Sequence, residues 1–288
     1  MPRALRHLFS VFKLRIGVAI SFGALAGLAV SPGAAPAPWQ VAVLALAVLA
    51  SAASAGAFNQ FAERDLDARM ARTRNRPFVT GAYGTGARWP VIIVALLLVA
   101  VVAAGLALNA MVALHVFLGA FVYSIVYTVW LKRRTWMNIV WGGLAGSFAV
   151  LAGASAVDPA LSPNALILAL VLFLWTPPHF WSLATALRED YAAAGVPMLP
   201  VVVGEARAAR IILASTTALV VVSLLPALFG LGWIYLAGAV AGGGYFMTTS
   251  VRLALRPGRA AAMTNFHASL VQLFLVLAAA IVDGWLLS

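Results

Sequence analysis

The sequence contains no cysteine and few charged residues. Without cysteine, a disulfide scaffold, a thiolate metal site and a cysteine nucleophile are all excluded. Only 9% of the residues are charged, whereas a soluble domain carries about 25%. A surface with so little charge could not be hydrated, so the chain is not a water-soluble enzyme, a disordered segment or a fibrous repeat.

Apolar residues dominate what is present. They make up 64% of the 288 residues, and the mean hydropathy is +1.00. A helix needs about 20 apolar residues to cross the hydrocarbon core of a bilayer. The sequence therefore predicts an all-α polytopic membrane protein with nine transmembrane helices. Their approximate positions are 16–30, 39–61, 89–108, 111–131, 137–157, 164–186, 210–229, 231–250 and 265–286.

The basic residues predict the orientation. All 19 of them precede the first predicted helix or lie in connections on one side of the membrane, and the opposite connections contain none. By the positive-inside rule, the N-terminus is cytoplasmic and the C-terminus is outside. The net charge of +11 is thus explained without a nucleic-acid partner, and we expect contact with membrane lipid.

Polar residues follow the second predicted helix. Asn59, Glu63 and Asp67 recur at i, i+4 and i+8, so a continuing helix would place them on one face. Amide and carboxylate oxygens suit a hard cation, and Mg²⁺ typically takes one or two carboxylates together with phosphate oxygens. The alternative is a solvated helix end whose acids pair with Arg64 and Arg69.

A basic segment comes directly after these residues. Arg72, Arg74 and Arg76 alternate with uncharged residues, and guanidinium groups match phosphate oxygens bidentately. The alternative interpretation is a basic loop that only sets the orientation of the protein in the membrane, a role that some of these arginines have in either case. Carboxylates for a metal ion beside arginines for phosphate predict a diphosphate site.

A second acidic run follows the sixth predicted helix. Asp190 is a candidate ligand for a second Mg²⁺, with Arg188, Lys132 or Arg133 on the phosphates. A solvated loop is the alternative for this run. The two long connections, about 62–88 and 187–209, are expected on the cytoplasmic side.

The sixth predicted helix contains Pro177 and Pro178, followed by His179. Prolines near the middle of a membrane helix free backbone groups that must be satisfied in a protein-lined cavity. His179 and Asp190 are 11 residues apart, about three turns, so they share a face if the helix persists. We therefore expect His179 deeper in the cavity of the acids. For His115, a functional role and a core hydrogen bond both remain open.

These motifs resemble the UbiA-type intramembrane prenyltransferases over nearly the whole chain. Leu14 and the stretch Ser147 to Val150 replace proline-bearing stretches of the family, and Ala194 stands where other members have a further aspartate. The matching residues are Asn59-Gln60, Glu63, Asp67, Met70, Arg72-Thr73, Arg76-Pro77, Tyr127-Thr128, Leu131-Lys132-Arg133, Thr135, Asn138-Ile139-Val140, Gly142-Gly143, Trp175, Pro178-His179-Phe180, Asp190-Tyr191, Gly195-Val196-Pro197-Met198-Leu199-Pro200 and Gly204.

Within the family, the resemblance is to the branch that farnesylates heme. It implies transfer of the farnesyl group of farnesyl diphosphate to a vinyl group of heme B with addition of water, giving heme O and diphosphate. The protein would be one domain, 1–288, in the bacterial inner membrane, with the two long connections capping an active site that faces the cytoplasm. A heme A synthase or the assembly of a terminal oxidase would follow downstream.

The resemblance also implies residue roles. It implies Mg²⁺ held by the catalytic residues Asn59, Glu63, Asp67 and Asp190, heme contacts from His179 and Trp175, and diphosphate bound by Arg72, Arg76, Lys132, Arg133 and Arg188.

Two other functions stay open. A transferase of the same family could act on an aromatic or quinone precursor, which analysis of the product would decide. A non-enzymatic heme-binding or transport protein is the other alternative. A transporter would place polar residues along a path across the membrane, whereas the ionisable residues here crowd one side.

Overall fold

The computed structural model describes residues 3–287, and this part of the chain contains helices and no strand. The prediction of an all-α protein is confirmed. A π-helical segment, Val122–Leu131, continues α6, and a short 3₁₀ helix, Leu225–Phe229, continues α12. The α-helices are α1 (Arg3–Val11), α2 (Leu14–Ala29), α3 (Pro38–Ala62), α4 (Arg64–Asp67), α5 (Arg88–Ala107), α6 (Ala110–Phe121), α7 (Asn138–Gly142), α8 (Leu144–Ser155), α9 (Pro163–Ala186), α10 (Arg188–Ala193), α11 (Leu199–Val203), α12 (Glu205–Leu224), α13 (Trp233–Leu255) and α14 (Arg259–Leu287).

Helices lie at all nine predicted positions, but not all of them meet the length and composition expected of a span. α1 and α2 meet at a 50° bend and make an eighth candidate if the pair is one span. α13 is not among the candidates, and it contains the polar run Thr248-Thr249-Ser250 and Arg252. Within residues 3–287, seven spans are long and apolar enough: Pro38–Ala62, Arg88–Ala107, Ala110–Leu131, Asn138–Ser155, Pro163–Ala186, Glu205–Phe229 and Arg259–Leu286.

The largest apolar core joins helices from both halves of the chain. Val150 of α8, Leu168 of α9, Leu219 of α12, Tyr235 of α13 and Leu277 of α14 are buried in one cluster. Lipid tails are as apolar as leucine, so close packing, rather than transfer out of water, holds such helices together.

Glycines let α2 and α8 cross backbone to backbone. A Cβ atom added at Gly153 would overlap the carbonyl group of Ala24, and one added at Gly27 would overlap the carbonyl group of Val150. Because each neighbour is backbone, neither can move aside as a flexible side chain would. Small residues at such crossings are typical of membrane helices, and this crossing fixes the position of α2 in the bundle.

Helix α9 continues through Pro177 and Pro178. Pro177 lacks the N–H group that would bond to the carbonyl oxygen of Phe173. A Cβ atom at Gly143 would lie 3.2 Å from this oxygen. The freed carbonyl therefore faces the junction of α7 and α8 inside the protein, as expected from the two prolines.

The two long connections meet on one side of the bundle. Leu66 and Met70 from the first connection share a buried cluster with Tyr191, Val196 and Leu199 from the second. The polar motifs of both connections are thereby brought to the same end of the helices.

Candidate active site

A cavity of about 560 Å³ opens beside this cluster. Polar side chains line one part of it, and small or apolar residues of α2, α3, α6 and α8 line the rest. The polar part contains Lys13, Asn59, Asp67, Arg72, Arg76 and Lys132; the apolar part contains Ile16, Gly17, Ile20, Val48, Ala52, Ala55, Gly56, Val116, Gly119, Ala120, Ala145 and Ala149.

The end of α3 places three polar side chains on one face. The amide of Glu63 donates to the carbonyl of Asn59 at 3.0 Å, and the amide of Asp67 donates to that of Glu63 at 2.8 Å. The i to i+4 pattern thus continues past the end of α3, as the sequence predicts. All three side chains are buried. Arg64 donates instead to the carbonyl of Phe61, so the interpretation as a solvated helix end is wrong.

Each carboxylate in this row is paired with a basic side chain. One guanidinium nitrogen of Arg76 donates to both oxygens of Asp67, at 2.9 and 2.7 Å. Lys132 Nζ lies 2.5 Å from Glu63 Oε2. Both carboxylates are almost fully buried, where an unpaired charge would be very costly. The Glu63 pair ties the end of α3 to the segment after α6, and the Asp67 pair closes a loop within the first long connection.

Lys13 completes the polar face, and in the sequence it is only one of the basic residues that precede the first predicted helix. Its Nζ donates to Asn59 Oδ1 at 2.7 Å and to the hydroxyl of Tyr123 at 3.0 Å. Lys13 lies at the bend between α1 and α2 with φ of 48°. Hydrophobic runs carry no signal of such a bend, which explains why sequence reasoning missed this residue.

The residues present fit Mg²⁺. Glu63 Oε1 is buried and has no hydrogen-bond partner, and the amide of Asn59 donates from Nδ2 to Glu63 Oε2 and Thr128 Oγ1. Among residues 3–287, no three His, Cys, Asp or Glu side chains are grouped closely enough to hold a metal on their own. This donor set suits an ion that keeps several ligands from water and substrate phosphate, which is how Mg²⁺ is usually held.

The π-helical segment adds the aromatic wall of the polar end. The amide of Lys132 donates to the carbonyl of Tyr127, five residues earlier, at 2.9 Å. Tyr123 and Tyr127 stack with ring centroids 5.4 Å apart, and all three residues line the cavity. Single-turn π-bulges are frequently found at functional sites. The apolar run of this segment predicts an ordinary helix, so its π character was not predictable from hydropathy.

Asp190 and Arg188 lie apart from this group. α9 ends at Ala186, and the next residue, Leu187, has a φ of −117°, so the helix does not persist from His179 to Asp190. The expectation that these two residues share a face of one helix is therefore wrong. Asp190 and Arg188 line a second cavity of about 330 Å³. Arg188 donates to a backbone carbonyl and lies 3.8 Å from Glu205.

Arg133 and Arg72 have different environments. Arg133 forms a bidentate pair with Asp65 at 2.9 and 2.8 Å, and both side chains are about half exposed. This hydrogen bonding lowers the pKa of Asp65 and raises the pKa of Arg133. Arg72 lines the main cavity beside Tyr191. Burial raises the pKa of the Tyr191 hydroxyl, and the nearby charge of Arg72 opposes that shift.

His179 lines the main cavity together with Phe266 of α14. Its Nδ1 is 2.7 Å from Ser269 Oγ, and Ser269 donates its hydroxyl hydrogen to the carbonyl oxygen of Phe266 at 2.6 Å. With the single serine hydrogen on this carbonyl oxygen, Ser269 accepts the hydrogen of Nδ1, and this is the tautomer that the arrangement favours. The histidine is thus protonated on Nδ1 and keeps a lone pair on Nε2. Trp175 stacks on the imidazole with centroids 4.0 Å apart.

His115 lines the same cavity from α6. Its Nδ1 lies 3.1 Å from Ser155 Oγ, and its ring stacks on Phe148. The sequence left a core hydrogen bond and a functional role open for this residue; the structure contains the hydrogen bond and places the ring at the cavity wall.

The fold and the cavity agree with a family assignment from the sequence. Residues 20–279 match the family model described as the UbiA prenyltransferase family. The chain belongs to this family. The resemblance indicated by the motifs is therefore confirmed, and the prenyltransferase class follows from it.

Individual UbiA-family proteins are similar over the whole length. The chain is 63% identical over 283 residues to protoheme IX farnesyltransferase 2 of Paramagnetospirillum magneticum, covering 98% of both proteins. It is 48% identical over 280 residues to protoheme IX farnesyltransferase 1 of the same organism, covering 96% of this chain and 98% of the relative. A solved UbiA homolog from Archaeoglobus fulgidus, bound to DMAPP and Mg²⁺, superposes with a TM-score of 0.71 at 15% identity, covering 95% of this chain and 98% of the homolog.

Proposed function

We propose that this protein transfers the farnesyl group of farnesyl diphosphate to a vinyl group of heme B, with addition of water, to give heme O and diphosphate. The observation that carries the proposal is the charge of the main cavity. Its polar end is lined by four basic side chains and one carboxylate, namely Lys13, Arg72, Arg76, Lys132 and Asp67. An apolar cavity with such an excess of positive charge suits a ligand with an anionic head and a hydrocarbon tail. The relatives named protoheme IX farnesyltransferase support heme as acceptor.

The diphosphate would bind at the polar end. Arg72, Arg76 and Lys132 supply fixed positive charge, which stabilises the negative charge that develops on the leaving diphosphate. Mg²⁺, when bound, would neutralise part of this charge. Asn59, Glu63 and Asp67 would hold it, and Asp190 would be the ligand of a second Mg²⁺. We retain Asp190 and Arg188 because Tyr191 beside them lines the main cavity, and Arg133 because it adjoins Lys132.

The farnesyl chain would lie along the apolar walls. When the bond between its C1 carbon and the diphosphate oxygen breaks, the electron pair leaves with the diphosphate and the allyl group becomes cationic. The faces of Tyr123, Tyr127 and Phe180, which line the cavity, stabilise such a cation. The lipid-embedded walls exclude water that would otherwise capture it early.

Heme B would bind at the His179 side of the cavity. The lone pair on Nε2 of His179 is available to the heme iron, and Trp175 supports the imidazole ring from behind. A vinyl carbon then forms a bond to C1 of the farnesyl group. The neighbouring carbon becomes cationic, takes up water and releases a proton, which gives the hydroxyl group of heme O.

The proposal extends to topology. We place one domain, 1–288, in the bacterial inner membrane with nine spans, a cytoplasmic N-terminus and an external C-terminus. The connections 62–88 and 187–209 would cap an active site that faces the cytoplasm. The product would pass to a heme A synthase or to terminal-oxidase assembly. The one-sided distribution of basic residues supports this orientation.

The natural absence of cysteine makes the topology directly testable. Single cysteines replace two exposed residues on opposite sides, Ala160→Cys and Thr80→Cys. A membrane-impermeant maleimide applied to intact spheroplasts should label the first variant, and should label the second only after lysis. The reverse pattern would refute the orientation.

The reaction is tested by mass analysis of hemes extracted from membranes that contain this protein. The host should lack its own heme-farnesylating enzyme but make heme B and farnesyl diphosphate. We expect a new heme in which a hydroxyethylfarnesyl group replaces a vinyl group, so that it is heavier than heme B by one farnesyl group and one hydroxyl group. Its formation requires the intact Glu63 and disappears in Glu63→Gln. Unchanged heme B with well-folded protein would refute heme as acceptor, and prenylated quinone precursors in the same membranes would then favour the other transferase function.

A further inference from the structure

The backbone of Lys13 is held in an unusual conformation. Its φ of 48° and ψ of 42° lie in the left-handed region, which residues other than glycine seldom adopt. Such conformations persist where the surrounding structure enforces them, and they cluster at functional sites. Here the conformation turns the chain between α1 and α2 and directs the lysine into the main cavity.

Neighbouring helix α3 leaves room for the lysine side chain. A Cβ atom added at Gly56 would lie 3.3 Å from each of three stem carbons of Lys13. The glycine therefore gives the stem a path along α3 to the polar face. The ammonium group at its end lies 5.4 Å from the ring centroid of Tyr123.

The charge of Lys13 has no anionic partner. Within residues 3–287, Arg76 pairs with Asp67 and Lys132 pairs with Glu63, whereas Lys13 forms no ion pair. Its two acceptors, an amide and a hydroxyl, are neutral. A partly buried ammonium group with neutral acceptors alone is poorly compensated, so this position favours the arrival of an anion.

Lys13 donates to the same side-chain oxygen of Asn59 that a metal ion would take as a ligand. Asn59 Nδ2 already donates hydrogen bonds to Glu63 and Thr128. Oδ1 is therefore the side-chain atom of Asn59 that can bind a metal ion. A cation at this oxygen competes with Lys13 for it. Binding of Mg²⁺ there would release the ammonium group next to the site of the diphosphate.

We propose that Lys13 is a further diphosphate-binding residue that exchanges partners: it holds Asn59 Oδ1 in the ligand-free protein and moves to the diphosphate when Mg²⁺ takes that oxygen. This inference rests on the proposed function, because it assumes that Asn59 helps to hold the metal. It predicts opposite effects on two ligands when the charge of Lys13 is removed. A purely structural lysine would weaken both.

The test uses purified full-length protein and two binding measurements. Mn²⁺ binding without diphosphate is followed by electron paramagnetic resonance, and binding of inorganic diphosphate at saturating Mg²⁺ is followed by calorimetry. In Lys13→Met, we expect Mn²⁺ to bind several-fold more tightly and diphosphate about 10- to 100-fold more weakly, as expected for loss of a charged hydrogen bond. Lys13→Arg should keep most of the diphosphate affinity.

Two further variants make the result decisive. Arg15→Met removes a neighbouring exposed charge outside the cavity and should change neither affinity. Lys13→Gln keeps a donor for the same acceptors, so it serves if Lys13→Met fails to fold, and it should also lose diphosphate affinity. Equal affinities in wild type and the methionine or glutamine variant, or weakening of both ligands, would overturn the inference. Absence of Mn²⁺ and diphosphate binding in the wild type would instead refute the proposed metal site.

Discussion

Ser269 lies within hydrogen-bonding distance of His179 Nδ1 and orients its ring. The serine accepts the hydrogen of His179 Nδ1 over 2.7 Å and passes its own hydrogen to the carbonyl oxygen of Phe266. The second ring nitrogen, Nε2, is thereby left with a lone pair in a histidine that lines the main cavity. A ligand histidine is normally oriented by such a bond on its other nitrogen.

This relationship predicts the effect of Ser269→Ala. Without the serine, the imidazole loses its orientation and its fixed tautomer, and the affinity for heme B should fall about 10- to 100-fold. A titration of the purified protein with heme B, followed by the Soret absorption, measures both the affinity and the ligation of the iron. Ser269→Thr should restore the spectrum. The control is Ser223→Ala, which removes a buried hydroxyl group bonded within its own helix and should leave the spectrum unchanged. An unchanged spectrum in Ser269→Ala would contradict ligation of the iron by His179.

Asp67→Asn should reduce turnover about 100- to 1,000-fold. The substitution removes the charge that Arg76 neutralises and that a metal ion would require. Heme O formation by purified enzyme, measured over a range of Mg²⁺ concentrations, reports the loss. The matched control is Asp65→Asn in the same segment. Asp65 is about half exposed and pairs with Arg133, so turnover should stay within about twofold. An equal loss of turnover in both variants would contradict a specific role for Asp67 and would indicate a general effect of the negative charge.

Gly153→Ala should destabilise the bundle. The added methyl group would overlap the backbone of α2 at Ala24, so the two helices must separate, at a cost of about 1–3 kcal/mol or more. The thermal unfolding midpoint in detergent should fall. Gly244→Ala provides the control, because nothing lies within 4 Å of a Cβ atom there and alanine is the better helix former. A midpoint of Gly153→Ala at or above that of this control would contradict the close crossing.

Ala145→Leu should shorten the chain that the cavity accepts. Ala145 lines the apolar part of the cavity, and an isobutyl group there would occupy space assigned to the farnesyl chain. We expect kcat/KM for farnesyl diphosphate to fall about tenfold relative to that for geranyl diphosphate, the size of effect that pocket filling produces. Ala42→Leu, at an exposed position of α3, should leave the ratio of the two substrates unchanged. An unchanged ratio in Ala145→Leu would place the chain elsewhere.

The row formed by Asn59, Glu63 and Asp67 was predictable because helical periodicity is a local property. Spacing alone indicates that the side chains share a face, and the structure confirms it. Their partners, Arg76 and Lys132, were predictable as basic residues of the right chemistry, but not as pairs. Which cation meets which carboxylate depends on the packing of separate segments.

Other features depend on breaks that no hydropathy pattern marks. The end of α9 before Leu187 separates Asp190 from the face of His179, and the bend at Lys13 brings a flanking lysine into the site. In both places, one residue with non-helical backbone angles changes the direction of the helix that follows. Composition averages over such positions, whereas the fold depends on them.

The π-helical segment before Lys132 contains the equivalent of an inserted residue, and the position of the lysine depends on it. A π-helix holds one more residue in each hydrogen-bonded turn than an α-helix, so the extra residue can be removed without leaving a gap in the chain. Deletion of one residue between Val122 and Leu131 would restore ordinary helical bonding, yet would rotate Lys132 away from Glu63. The π-helical turn therefore sets the rotation at which Lys132 meets Glu63.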